Sequence, residues 1–386
     1  AMESRGLGDV YKRQIMKCLV TGGAGLIGSH IVDKLLEKGH EVVILDNLDS
    51  QTHPNGKPDW IPKEANFIEG DVNNYDDVKK ALKEGVDSIS HQAAFGGFTN
   101  SISYYFDVNT SGTAKIFEVI REENIEINKF VMASSQAIFG EGLYNSKELG
   151  NFHPEPRSVE QLKKKKWEVI CPSSGEEAKP VPFSENLEPY GVSPYALSKY
   201  FEEMIGLAFG KTYGIPVAAL RYAVTYGPRQ SVYNPYTGVF SIFSSMIVNN
   251  LSPLIFEDGN QTRDFIFVED VADANVTLLE SNLDSQQPFN VGTGNPTKVI
   301  DLASSLCKEL NSNVKPKISE EFRYGDSRHF IHDSSKLKEY KWEPKYSIED
   351  GIKKYTDWFK TQEDVKTTFP EASEGLRKIG VIQSSD

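Results

Sequence analysis

The chain has 386 residues, a formal net charge of −13 and 39% hydrophobic content, a balance that suits one large globular domain or two closely joined ones. The acidity argues against a nucleic acid or a membrane surface as the main partner, and no apolar run approaches the roughly 20 residues that span a bilayer. Cys18, Cys171 and Cys307 are too few and too scattered for a disulfide framework, which points to a reducing cytoplasm.

Residues 1–14 show no periodicity and precede Met16, so they are read as a non-native leader and set aside. Cys18-Leu-Val20 then reads as a buried strand running into Thr21-Gly22-Gly23-Ala24-Gly25-Leu26-Ile27-Gly28. In such a turn Gly22 permits the bend, Gly25 admits a pyrophosphate close to the backbone, and Gly28 lets helix pack on strand. Amides near Leu26 and Ile27, at the start of the next helix, would face the anion. Leu26 to Lys38 has helical periodicity and stops at Gly39. Glu41 to Leu45 is a second strand ending in Asp46, beside Asn47. A carboxylate there suits ribose hydroxyls and repels a 2′-phosphate, which favours NAD over NADP.

After a polar loop (51–62), Asn66 to Glu69 reads as a strand ending in Gly70-Asp71-Val72, and Tyr75 to Lys83 as a helix. Val86 to His91, Phe106 to Glu123 and Lys129 to Ala133 continue the rhythm as strand, helix and strand. Repeated strand–helix units predict an α/β fold with a doubly wound, Rossmann-type parallel sheet. Residues 141–192 break the rhythm and read as an inserted loop beside the active-site helix. Their basic run Lys163 to Lys166 is expected to be a solvated face, and the lone Cys171 supports no metal site. Further elements are expected at 238–249 (helix), 265–268 (strand), 289–294 (strand into turn), 300–310 (helix) and 348–359 (amphipathic helix). A polar, weakly ordered tail is expected to close the chain. The resulting division is a cofactor domain over 15–220 that carries the insert 141–192, a smaller mixed α/β domain over 221–360 that is predominantly substrate-binding, and a polar tail over 361–386.

Tyr195 and Lys199 lie at i and i+4, hence on one helix face. A phenol ordinarily ionises near 10, and a nearby ammonium with a positive nicotinamide ring favours its phenolate. Ser134 and Ser135, just past a buried strand, are placed to supply a hydroxyl to the substrate oxygen, with Ser135 favoured; either serine is also suited to capping the turn that follows.

Taken in order, Gly22/Gly25/Gly28, Asp46, Asp71-Val72, Ala133-Ser-Ser135, Ile138-Phe-Gly140, Tyr195/Lys199 and Leu220-Arg-Tyr222 resemble the extended short-chain dehydrogenase/reductase family, in its nucleotide-sugar epimerase/dehydratase branch. The resemblance covers about 16–359. It implies a bound NAD, a nucleoside diphosphate sugar as substrate and a homodimer built on two helices per subunit. It places Asp71 and Val72 at the adenine and His91-Gln92-Ala93-Ala94 at the pyrophosphate, with Asn109 supporting the strand ends. Arg263 and Arg323 are implied at the substrate diphosphate, Asp326 at the nucleotide ribose, and Gln136 and Val224 beside the sugar. The segment 234–238 and the long insert are similar to those of dTDP-L-rhamnose 4-epimerases. Two features depart from the pattern. Val224 stands where relatives carry an asparagine amide, and Ser173-Ser174 stand where related insert segments carry a second cysteine, so no metal is expected.

The activity implied is inversion at carbon 4 through a 4-keto sugar, with Tyr195, Lys199 and Ser135 as the catalytic set. A 2-epimerase would use the same set. A 4,6-dehydratase needs a proton-shuttling acid and base where Gln136-Ala137 stand. A binding protein without turnover would not need the preserved Tyr195 and Lys199.

Overall fold

The computed structural model describes residues 15–96, 101–232, 234 and 238–385; the leader therefore lies outside the described residues, as do positions 235–237 of the 234–238 segment. Seven strands form one parallel sheet: β1 (Lys17–Thr21), β2 (Glu41–Asp46), β3 (Asn66–Glu69), β4 (Ser88–His91), β5 (Lys129–Ser135), β6 (Val217–Tyr222) and β7 (Gln286–Val291). Their order is β7-β6-β5-β4-β1-β2-β3, so the chain reverses direction across the sheet between β1 and β4. Ligands of such sheets bind in the crevice at that reversal, beyond the carboxyl ends of the strands. Thr21 pairs with His91 in register there, which brings the glycine turn beside the residues after β4.

Both faces of the sheet are covered, and the strands read as continuous apolar runs for that reason. Alternate residues divide between two cores. Cys18, Val20, Val42, Ile44, Val131, Ala133, Ala218 and Leu220 face one side. Leu19, Val43, Leu45, Phe130, Met132, Val217 and Ala219 face the other. Helix α1 (Leu26–Glu37) and helix 268–280 cover the first side; α2 (Tyr75–Leu82), α3 (Ile102–Glu122) and α4 (Pro194–Tyr213) cover the second. Each large side chain buried in these layers contributes roughly 1.5–3 kcal/mol. The elements expected from sequence are present with ends shifted by a few residues. Helix α3 starts earlier than expected and contains a π-helical stretch, Phe106–Ser111.

Three expectations need revision. The segment after 220 is interleaved with the sheet: helix 268–280 packs on α1, and β7 belongs to the sheet itself. The rest of that segment gathers around Tyr226, Phe240, Phe265, Phe267 and Tyr355, a separate aromatic core. Second, the insert is no plain loop. Leu143–Ser146, Gly150–Phe152 and Lys179–Val181 form a small antiparallel sheet, over a core of Tyr144, Val169 and Ala178. Its basic run 163–166 is exposed, as expected of a solvated face. Third, the end of the chain is structured. Helix Phe369–Lys378 precedes Ile382–Ser384, which pairs antiparallel with Glu321–Arg323. Three apolar residues (Phe369, Leu376, Ile382) bury themselves there, too few for the sequence to reveal them. Among the described residues, no helix is long and apolar enough to cross a membrane.

Candidate active site

A cavity of about 580 Å³ opens at the reversal point of the sheet. Gly22, with φ at +65°, turns the chain off β1; a Cβ there would lie 2.7 Å from Ala93 N. A Cβ on Gly28 would lie 2.2 Å from Gly22 O, so helix and turn touch without room for a side chain. Gly25 caps α1, no side chain bonds its amides, and no acid occupies the first turn. Gly25, Leu26, Ile27 and Gly28 line the cavity, leaving a helix N-terminus available to a phosphate.

Asp46 is fixed between two backbone amides, Ala24 N and Leu48 N, each 2.9 Å from a carboxylate oxygen. Asn47 donates to Asp71 Oδ2 at 2.9 Å, and Asp71 also accepts from Asn73 N. Asp46, Asn47, Asp71 and Val72 all line the cavity. So do Asp49, Gln51, Thr52 and His53 of the following loop, which the sequence did not signal because the loop has no periodicity. Trp60 Nε1 donates to Ala24 O at 3.0 Å and holds that loop over the glycine turn.

Beyond β4 a buried polar chain sets the third wall. Thr113 donates to Asn109 O, so it accepts from His91 Nε2 (2.8 Å) and leaves Nδ1 to accept from Thr21 (2.7 Å). Burial, with a smaller push from Lys199, takes the His91 imidazole down to about 3 and keeps it neutral. Thr21 Oγ1 in turn accepts from Gln92 N and Ala93 N, fixing the Gln92-Ala93-Ala94 wall. Asn109 is buried in the π-helical stretch and does not line the cavity. It brackets Phe95 through its carbonyl and amide and donates to Ser198, tying this wall to α4.

The fourth wall carries the candidate chemistry. Ser193 caps α4 by accepting from Ala196 N, with Pro194 following, and this seats Tyr195 in the cavity lining. Ser135 ends β5 in the same lining, while the Ser134 hydroxyl donates to Glu203 Oε2 at 2.6 Å inside the core. The structure therefore separates the two serines in favour of Ser135. Lys199 is buried, and its Nζ donates to Ala133 O (2.9 Å) and Glu202 Oε2 (2.5 Å). It braces β5 just before Ser135 and does not line the cavity, whereas the spacing had directed it to the phenol and the ribose. A second phenol, Tyr222, also lines the cavity; it donates to Gln92 Oε1 and accepts from Asn275, and burial pushes it well above the ordinary range.

Gln136 and Val224 line the cavity together with Gln230. Gln136 Oε1 and Gln230 Oε1 are buried and have no hydrogen-bond partner among the described residues. Gln230 closes the segment 226–230, which resembles the family's nucleotide-sugar pocket, although the sequence does not single out its side chain. Arg263, Arg323 and Asp326 are not brought into the lining. Arg263 donates to the carbonyls of Thr262 and Arg328, and Arg323 pairs with Asp326 at 2.8 Å. Arg323 at a strand end and the acid three residues on, both partly exposed, pair with each other first.

Residues 18–292 match the model of the NAD dependent epimerase/dehydratase family. The chain belongs to this family. It is 35% identical over 346 residues to a putative UDP-glucose 4-epimerase of Methanocaldococcus jannaschii, covering 89% of this chain and 98% of that protein. It is 31% identical over 360 residues to a dTDP-L-rhamnose 4-epimerase of Burkholderia thailandensis, covering 91% and 96% respectively. Among solved structures, UDP-glucose 4-epimerase of Thermus thermophilus in complex with NAD superposes with a TM-score of 0.69 at 30% identity, over 90% of this chain and 99% of that one. As a family member the protein is an NAD-dependent enzyme, and its glycine turn, anchored Asp46 and open helix N-terminus fit a dinucleotide.

Proposed function

We propose that the protein epimerises a nucleoside diphosphate sugar at carbon 4 through a transient 4-keto sugar. The observation that carries this reading is that Tyr195 and Ser135 share one cavity with the glycine turn and Asp46. NAD, held by Gly22 to Gly28, Asp46, Asn47, Asp71, Val72 and Gln92 to Ala94, supplies reversible carbon–oxygen redox chemistry. Tyr195 takes the proton of the carbon-4 hydroxyl and later returns it. Ser135 hydrogen-bonds the same oxygen, and Lys199 holds the β5 end that carries Ser135. Asn109 keeps α4 and the 92–95 wall in register.

Gln136-Ala137 offers no ionisable group beside Ser135, which weighs against dehydration. The unpartnered oxygens of Gln136 and Gln230 suit donor hydroxyls of the sugar. Val224 leaves that wall apolar where an amide is usual. Arg263, Arg323 and Asp326 are assigned to the substrate diphosphate and ribose, a role that requires the Arg323–Asp326 pair to open. We assign the protein to carbohydrate metabolism in the cytoplasm, a reducing setting that suits three buried, unpaired cysteines. We further propose a homodimer. Leu197, Phe201 and Met204 form an exposed apolar stripe on α4, and Ile102 is exposed on α3.

Incubation of the purified protein with UDP-glucose, dTDP-L-rhamnose and UDP-glucuronic acid, followed by chromatography and NMR, tests the reading. The expected product is a carbon-4 epimer with no solvent deuterium at that carbon. Tyr195→Phe is expected to lower kcat by about 10²–10⁴ while retaining NAD. An undiminished rate in that variant would remove Tyr195 as the base.

A further inference from the structure

Glu202 is a buried ionisable group for which the proposed mechanism has no use. It follows Lys199 by one turn of α4, with its side chain 1% exposed and Oε2 at 2.5 Å from Lys199 Nζ. Its Oε1 is buried with no hydrogen-bond partner among the described residues. The charged and titratable groups facing it come from three elements. Lys199 and Glu203 lie on α4, His91 Nε2 of β4 is 3.9 Å away, and the Tyr222 phenol of β6 senses its charge. Glu203 is engaged by Arg221 and Ser134, and His91 is neutral. Lys199 is therefore the cation that Glu202 answers. Burial pushes the Glu202 carboxyl up to about 7, against the pull of Lys199 and with a smaller push from Glu203.

A lysine ammonium on the Tyr195 face of the helix favours the phenolate through its unit charge. The Glu202 carboxylate paired with that ammonium cancels part of the field, and with Ala133 O it fixes where Nζ sits. We propose that Glu202 is a positioning residue that holds the Lys199 ammonium and sets how much of its charge reaches the Tyr195 phenol. The inference rests on the assignment of Tyr195 and Lys199 to the active site.

The test is an absorbance titration of the Tyr195 phenolate, taken as the difference between the NAD-loaded protein and its Tyr195→Phe variant, with Glu202 intact and with Glu202→Gln. Glutamine keeps the shape and an acceptor oxygen while removing the charge. The Glu202→Gln phenolate is expected to develop about one pH unit lower. With a nucleotide sugar that the unaltered protein converts, the acidic limb of kcat moves the same way while KM stays within about twofold. Coincident curves, or a Glu202→Gln curve at higher pH, overturn the proposal. NAD content and circular dichroism report folding. Should Glu202→Gln not fold, Glu202→Asp, which draws the carboxylate back by one methylene, is expected to shift the titration in the same direction by less, and an unmoved curve overturns the proposal there. The titration needs no turnover, so a protein that converts no nucleotide sugar would defeat the epimerase reading without leaving this inference unjudged.

Discussion

Gly28 and Gly22 meet so closely that substitution at either is a packing event before it is a binding event. With Gly22 O only 2.2 Å from the place a Cβ would take, Gly28→Ala must push the turn off α1. The expected loss is about 1–3 kcal/mol by chemical denaturation, accompanied by loss of copurifying NAD. Gln230 behaves in the opposite way. Its buried Oε1 has no partner, so Gln230→Leu costs the fold no bond at that oxygen. It is expected to raise KM for the nucleotide sugar by about tenfold, the worth of one hydrogen bond, while the melting temperature and NAD content hold. A melting temperature that fell with KM unchanged would place Gln230 in the scaffold. The two phenols of the cavity are held differently: Tyr222 is fixed by Gln92 and Asn275, while the Tyr195 hydroxyl, on the same wall as Ser135, has no such clamp among the described residues.

Elements position these side chains by ending where they do. Strands β1, β2, β4 and β5 all deliver their last residue, or the next one, to the same crevice: Gly22, Asp46, Gln92 and Ser135. The glycines, the apolar runs and the Tyr195–Lys199 spacing were legible because each is a local device with a fixed period or a fixed backbone demand. The spacing also placed Lys199 on α4 correctly, yet did not tell where its ammonium would go. That depends on Glu202, and an i,i+3 Lys–Glu pair looks the same in sequence whether it lies in solvent or in the core. The 48–62 loop, which adds Asp49, Gln51, Thr52 and His53 to the cavity, was silent for want of any repeat. The insert was illegible for a similar reason, since three strands of three or four residues give too short a pattern to read.

The insert is joined to the rest by charge, and that governs the behaviour of the whole molecule. Arg157 spans Glu141 and Glu257, and Arg328 spans Glu168, Glu257 and Asp258. Burial raises Glu168 and Asp258, but hydrogen bonds, from His329 and Arg328 to Glu168 and from Arg328 and Asn260 to Asp258, outweigh it and bring both to about 2. Carboxyls lowered in the folded state stabilise it above their ordinary range, and that stabilisation is lost as the pH falls toward 2. Hydrogen-exchange protection of 141–192 is therefore expected to decline from about pH 4 downward. Arg328→Met deprives the half-buried Glu168 and Asp258 of their guanidinium, at a cost of about 2–3 kcal/mol. Acid would then relieve the variant, so its insert is expected to gain protection over the same range; a decline parallel to the unaltered protein would refute the clamp. At the outer surface, Phe201→Glu is expected to convert a dimer to a monomer in light scattering if α4 forms the interface.

By itself the sequence determined the sheet, the glycine turn, the acidic end of β2 and the Tyr195–Lys199 spacing, because the physics of each acts within a few residues along the chain. Only the tertiary structure decided that Lys199 faces Glu202, that Ser134 is held by Glu203 while Ser135 is left to the cavity, and that Arg323 and Asp326 pair with each other. It also decided that the end of the chain adds a strand beside Arg323. Each of those outcomes is a competition among polar groups distant in sequence or differing only in burial, and burial is a property of the packed molecule.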